Sequence, residues 1–269
     1  MLIGQDKKTT IISQIILTFL AIIFSLPILI MLKISFVGKG FINNYLQVLR
    51  FDYTFKFFYN SLIVSFFTVL IVLTLSILTA YSLSKLKPIA KNTFFNLILI
   101  GLMVPGVSLI VPIFLLFLKF NLFKSYLAMI LPISAGIIPF AILLFKNYMD
   151  NIPNDLIEAA KIDGAGPLYI LRKIILPLSY SIMVVVIIWT FLMTWNDYST
   201  ALFFVRDKEL LPVTHLPNYF NMATMAAGNI PDYGPFFACL VLISLPIMLV
   251  YLFLQKFIED GVTAGASKN

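Results

Sequence analysis

The stretch EAAKIDGAG, Glu158–Gly166, is a polar and small-residue interruption between long apolar runs. Its setting, NIPNDLIEAAKIDGAGPLYILRKIILPLS (Asn151–Ser179), has the grammar of helix, turn and helix. Pro153 suits a first helical position, where its missing N–H costs nothing. Asp155 and Glu158 place negative charge in the first turn, where the helix dipole favours it. Leu156, Ile157 and Ala160 share one face, and Gly164 ends the helix. A second helix is predicted from about Pro167, and Pro177 marks the passage into the next apolar run. About 20 residues thus stand outside any apolar segment, with apolar side chains worth on the order of 1.5–3 kcal/mol each if buried. Small Ala159 and Ala160 allow close approach of another surface. Two readings stand side by side: a segment docked in a partner's groove, or an amphipathic helix lying on lipid headgroups.

The rest of the chain says where this segment lives. Hydrophobic residues make up 61% and charged residues 12% of 269, with a mean hydropathy of +1.00. Soluble domains carry about 25% charge, so this chain belongs in a bilayer. Six apolar stretches reach the ~20 residues that span hydrocarbon: 11–32, 61–84, 94–118, 126–145, 174–194 and 235–254. None holds Asp, Glu, Lys, Arg or His, and backbone in lipid must satisfy itself, so each is predicted helical. The first run is too long for a signal-peptide core and is expected to remain as an anchor. Segments on the N-terminal side carry 11 Lys+Arg in 61 residues against 8 in 69 opposite. With the acid-free trio Lys85, Lys87 and Lys91, this bias puts both termini in the cytoplasm. The formal charge of +7 is spent on that topology signal, and no nucleic-acid partner is expected.

Two spans carry helix breakers: Gly101, Pro105, Gly106 and Pro112 in the third, Pro132, Gly136 and Pro139 in the fourth. Both are expected to kink or unwind. Either this is ordinary membrane packing, or broken backbone lines a cavity where freed carbonyls meet water or substrate. Trp195, Asn196, Asp197 and Tyr198 cluster at the far end of the fifth span. Aromatic faces beside amide and carboxylate groups suit a hydroxyl-rich solute; the competing reading is an interfacial aromatic anchor. The segment 198–234 reads as a long extracytoplasmic loop. His215 within it has no second His or Cys nearby and reads as a solvated loop residue. Cys239, the one cysteine, lies in an apolar run and reads as packing.

The pattern Glu158-Ala159-Ala160, three residues, Gly164, nine residues, then Ile174-x-Leu176-Pro177 resembles the EAA loop of ATP-binding-cassette importer permeases, with every fixed position matched. MVPG followed by IVP (Met103–Pro112), TWNDY (Thr194–Tyr198) and the tail GVTAGASK (Gly261–Lys268) are similar to the carbohydrate-importer branch that includes the maltose permease. The resemblance covers essentially the whole chain. It implies an all-α, polytopic fold with six transmembrane helices (the type I importer permease fold) and short cytosolic coupling helices between spans 4 and 5. The implied organisation is an N-terminal tail, first span and outer loop over 1–57, a permease core over 58–255 with its coupling loop at 151–177, and a cytosolic tail over 256–269.

By this resemblance Glu158, Ala159, Ala160, Asp163, Gly164 and Pro177 form the contact with a cytosolic ATPase. Glu158 offers a carboxylate to basic groups, the alanines permit seating and Gly164 the sharp turn. Gly261, Thr263, Gly265 and Ala266 belong to a tail that reaches the ATPase dimer; taken alone, that tail reads as a frayed polar terminus. Pro105, Gly106 and Trp195 to Tyr198 are candidates for the substrate pathway. Implied partners are a second homologous permease, an ATPase dimer, an extracytoplasmic sugar-binding protein and the lipid of a bacterial plasma membrane. ATP and Mg would sit on the ATPase subunits, for the chain has no P-loop; no cofactor is expected here, nor a metal, since His215 has no second His or Cys nearby. An ion-coupled secondary transporter is the alternative, yet such proteins need ionisable groups at membrane depth. An intramembrane enzyme would need a nucleophile–base or carboxylate–metal set there, and none is visible.

Overall fold

The computed structural model describes the backbone of residues 7–266 except 87 and 231, and side chains from 11 to 253 and at 255, apart from the same two. Within these the secondary structure is helical. Four helices are long and apolar enough to cross a membrane alone, and two bent pairs bring the number to six.

Two compact units are present, residues 1–54 with 216–245, and 55–215 with 246–269. In the first lie α1 (Lys7–Ser35), α2 (Phe41–Leu49), α11 (Leu216–Ala226) and the start of α12 (Tyr233–Ala266). Along the described part of α1 the side chains up to Ile30 are exposed, as an apolar helix facing lipid requires. At its end, buried Asn44 donates its amide to the carbonyls of Ser35 (2.9 Å) and Val37 (2.7 Å), which tethers α2 to the chain leaving α1. The start of α12 packs so closely that a Cβ on Gly234 would lie 2.2 Å from the Val37 carbonyl oxygen. Phe51 and Phe220 add an edge-on ring contact at 5.4 Å.

The second unit holds α3 (Thr54–Tyr81), ending in a π-helical turn (Ser82–Leu86), then α4 (Lys91–Met103), α5 (Ile110–Phe120), α6 (Leu127–Asp150), α7 (Asn154–Ile162), α8 (Pro167–Leu178), α9 (Tyr180–Trp195) and α10 (Ser199–Phe204). Its largest core gathers Val72, Ala80 and Tyr81 of α3, Ile137, Ala141, Phe145 and Met149 of α6, Ile157 of α7, Ile170, Leu171 and Ile175 of α8, and Val186 of α9. Inside lipid such packing gains little over contact with acyl chains. Ile152, Ile157 and Ile170 sit at the non-spanning end, where burial from water still stabilises.

The breakers behave differently in the two spans that hold them. The third span breaks at Val104–Pro105, where both residues are extended, and α4 and α5 meet at 94°. Proline disfavours the helical region for the residue before it. The freed Pro105 carbonyl is taken up by the amide (3.0 Å) and hydroxyl (2.7 Å) of Ser108. Pro112 lies in the first turn of α5, where no amide bond is lost. The fourth span does not unwind: α6 runs unbroken through Pro132 and Pro139. The reason is packing. Nine α6 residues are buried, whereas α4 buries none, so neighbours keep α6 helical despite its lost bonds.

Two further expectations are corrected. Residues 174–178 belong to α8, so the fifth span is not one straight helix: α8 and α9 pair across a 78° bend. The segment 198–234 is not an open loop; it carries α10, α11 and two short 3-10 turns.

Candidate functional site

The turn at Gly164 is a helix C-terminus built residue by residue. Gly164 adopts φ +82°, its amide meets the Lys161 carbonyl at 3.0 Å, and the Ala165 amide meets the Ala160 carbonyl at 2.9 Å. These are the two reciprocal bonds of a Schellman motif, which needs a left-handed residue at this position. Asp163 is the C-cap. Pro153 turns out to be the N-cap rather than the first helical residue, with extended ψ of 134°, and Asp155 alone lies in the first turn. Glu158 is therefore not a dipole-neutralising residue: it stands mid-helix and exposed beside exposed Ala159. Pro167 opens α8, as predicted. Exposed Pro177 sits two residues before the bend at Ser179.

The apolar face of α7 is divided. Ile157 is buried in the protein's own core with Ala160 packed against it. Leu156 and Ile162 point outward, Ile162 with 86% of its surface free, as do Leu168 and Tyr169 of α8. A concavity of about 580 Å³ opens at the turn, lined by Ala160, Asp163, Gly164, Gly166, Tyr169 and Lys173. Small residues at its floor and exposed apolar side chains at its edges make a surface that a protruding partner can fill.

A second cavity, of about 510 Å³, lies where the third span breaks. Gly101, Val104, Gly106 and Ile110 line it from the broken span, Ala135 and Gly136 from α6, and Ser199, Thr200 and Phe203 from α10. Its volume falls in the range of small-molecule sites, about 300–1,000 Å³. Of the sequence-predicted pathway residues Gly106 lines it, and Pro105 stands next to it in the chain.

Within the segment Trp195–Tyr198 the tryptophan is buried, Asn196 is exposed, and Asp197 and Tyr198 are half-buried. Trp195 is 1% exposed, stacked on Phe191 (5.3 Å) and near Phe58 (6.1 Å), so its face is not offered to a solute. Asn196 donates to the Leu192 carbonyl at 2.9 Å and closes α9. Asp197 accepts the Thr200 amide at 3.1 Å, and its backbone carbonyl accepts the Thr214 hydroxyl at 2.9 Å. Burial pushes the Asp197 carboxyl above the usual carboxylate range, against the Thr200 hydrogen bonds. His215 is buried, not solvated: its ring stacks on Tyr198 at 4.2 Å and Nε2 lies 3.1 Å from the Tyr198 carbonyl oxygen. Ser199, Thr200 and Phe203 escape a sequence reading that takes 198–234 as loop. Asp197, three residues before Thr200 and ahead of the run ALFF, is the capping signal that marks α10.

Burial lowers the His215 pKa below its ordinary 6.5, with the Tyr198 carbonyl opposing. The neutral ring is favoured in the folded state, so its contribution is complete above 6.5 and is lost as pH falls below it. Lowering pH from about 7.5 to about 5.5 is expected to depress the thermal midpoint of detergent-purified protein. His215→Gln is expected to flatten that dependence, and an unchanged slope would contradict the assignment.

Gly261, Thr263, Gly265 and Ala266 fall beyond the residues whose side chains are described, and Lys87 lies outside the described residues.

A family model, "Binding-protein-dependent transport system inner membrane component", matches residues 73–264. The chain belongs to that family. Over 270 residues it is 30% identical to the inner membrane ABC transporter permease protein YcjP of Escherichia coli, covering 94% of each chain. Over 276 residues it is 31% identical to the polygalacturonan/rhamnogalacturonan transport system permease protein YtcP of Bacillus subtilis, with 94% of this chain and 95% of that one covered. The arabinooligosaccharides permease AraQ of the same bacterium shares 32% over 214 residues, 80% of this chain and 74% of AraQ. Among solved structures, a bacterial ABC transporter involved in the import of the acidic polysaccharide alginate superposes with a TM-score of 0.78 at 22% identity, covering 94% of this chain and 99% of that chain. At that identity the likeness speaks for the fold. The family's permease fold, multi-pass and all-helical, is the one predicted from sequence. As a permease of this family the chain works with an ATPase and a substrate-binding protein, and the ion-coupled carrier is not favoured.

Proposed function

We propose that this permease is one of two homologous membrane subunits of an ATP-driven importer for a short oligosaccharide or related hydroxyl-rich solute. The observation that carries the reading is the Schellman turn at Gly164, flanked by outward-facing Leu156 and Ile162. Such side chains stand exposed unless a partner covers them, and the neighbouring concavity gives that partner a seat. ATP and Mg belong to the ATPase dimer, and the chain itself has no catalysis. Glu158, Ala159, Ala160, Asp163 and Gly164 meet the ATPase; Pro177 precedes the bend that passes movement into α9. The tail residues Gly261, Thr263, Gly265 and Ala266 approach the same dimer. Both termini are cytoplasmic in a bacterial plasma membrane, in keeping with the lysines at 85, 87 and 91.

A carbohydrate cargo is supported by the names of relatives such as AraQ and YtcP. It is supported also by the composition of the 510 Å³ cavity, an apolar wall with Phe203 and the hydroxyls of Ser199 and Thr200. The binding protein, which delivers the solute from outside, selects among sugars. Reconstitution with the cognate partner permease, ATPase and binding protein in liposomes tests the reading. Hydrolysis and uptake are expected to rise with one or a few oligosaccharides from a panel. A response confined to amino acids or to an imposed ion gradient would overturn it. Glu158→Lys is expected to remain membrane-inserted and to lose most of that stimulation, because a cation then faces basic groups on the ATPase.

A further inference from the structure

The lysine-rich connection after α3 holds more than an orientation signal. Lys85 donates from Nζ to the Ile152 carbonyl at 2.7 Å and to Asn154 Oδ1 at 3.1 Å. Those acceptors flank the start of α7, and the Ile152 carbonyl, ahead of the N-cap Pro153, belongs to no helical ladder. One residue earlier, Ser84 donates to Asp150 Oδ1 at 2.6 Å. One turn back along α3, the Tyr81 hydroxyl donates to the Pro167 carbonyl, the first residue of α8, at 3.0 Å. Residues four apart share a helix face, so Tyr81 and Lys85 meet the coupling segment from one side. Together they grip it where α7 begins and where α8 begins.

The backbone around these ties is irregular in a way that suits movement. Ser82–Leu86 forms a π-helical turn at the end of α3, and Leu171–Ile175 forms another within α8. Such turns inside helices frequently mark functional positions. Tyr81, Ile157, Ile170, Leu171 and Ile175 pack in one core, so the hydrogen bonds are backed by contact. A displacement of α7 in this arrangement reaches α3 directly, without passing along α8 and around the 78° bend before α9.

We propose that Lys85 and Tyr81 are positioning residues that tie the end of α3 to α7 and α8, so that a push on α7 moves α3 with it. This rests on α7 being the ATPase dock, and the experiment separates the two. In the full complex in nanodiscs, with Cys239→Ala as background, spin labels are placed at Ile162→Cys and Phe55→Cys, both exposed positions. Immobilisation of the label at 162 when the ATPase joins supports the dock; a freely mobile label defeats the dock and this proposal with it. The distance between the labels is then measured with and without ATP plus vanadate. It is expected to stay fixed in the otherwise unaltered chain. It is expected to shift and broaden with nucleotide in Lys85→Met/Tyr81→Phe, partly in each single variant, and to be restored by Lys85→Arg, with thermal stability unchanged. An immobilised label with a nucleotide-dependent shift in the unaltered chain, or with no shift in the double variant, overturns the tie alone.

Discussion

Gly164→Val is expected to leave the permease inserted in the membrane while abolishing the stimulation of ATP hydrolysis by cargo-loaded binding protein. The space is there: no atom lies within 4 Å of where a Cβ would stand. The obstacle is backbone conformation, since Gly164 sits at φ +82°. A β-branched residue in the left-handed region costs upwards of about 1–2 kcal/mol, and each 1.4 kcal/mol is about tenfold in an equilibrium. The turn has cheaper conformations than that strain. Adopting one breaks the Ala165–Ala160 and Gly164–Lys161 bonds and re-aims α7 against α8. The six-span body does not depend on this turn, so insertion is expected at the unaltered level by membrane fractionation. Stimulated hydrolysis in liposomes is expected to fall at least about tenfold. Unaltered stimulation would show that the turn's geometry is irrelevant to coupling. Gly164→Asn, which tolerates the left-handed region, is expected to recover much of the activity.

Gly136→Phe is expected to have the opposite signature, with coupling to the ATPase preserved and uptake lost. Gly136 lines the 510 Å³ cavity, and a Cβ added to it would meet no atom within 4 Å. A ring there projects toward Gly106 and the α10 hydroxyls instead of into packed backbone. The overpacking cost of about 1–3 kcal/mol that accompanies extra atoms in a filled core is therefore largely absent. Purified complex is expected to keep its ATPase subunit and basal hydrolysis, while uptake of the oligosaccharide drops to background. Gly136→Ala, which adds one methyl, is expected to transport nearly as well. Uptake unaffected by the phenylalanine would mean that solute passes elsewhere.

How much of this is legible in the sequence depends on whether a local rule or a neighbour decides. The spans are legible because bilayer thickness and backbone satisfaction act on each segment separately. The break at Pro105 is legible because Val104–Pro105–Gly106 carries its own steric instruction. Pro132 and Pro139 carry the same instruction singly and do not interrupt the helix, because α6 has nine buried residues and α4 has none. Gly164 is legible since a φ of +82° strongly favours glycine. The division of the α7 face is not, because spacing groups Leu156 with Ile157 and only the fold decides that Ile157 turns inward. Trp195 misleads for a similar reason: its aromatic, polar neighbours suit a sugar site, yet Phe191 and Phe58 enclose it. α10 stays hidden because a six-residue helix is shorter than the periodicity needed to see it.

The central claim is that the driving force arrives at α7, and contact tests it most directly. A photo-reactive amino acid at Ile162, 86% exposed, is illuminated in membranes containing the assembled complex, with the same residue at exposed Asn43 as control. A cross-linked product containing permease and ATPase is expected from position 162 and none from position 43. Cross-linking of position 162 to lipid alone, with the ATPase present and active, would contradict it.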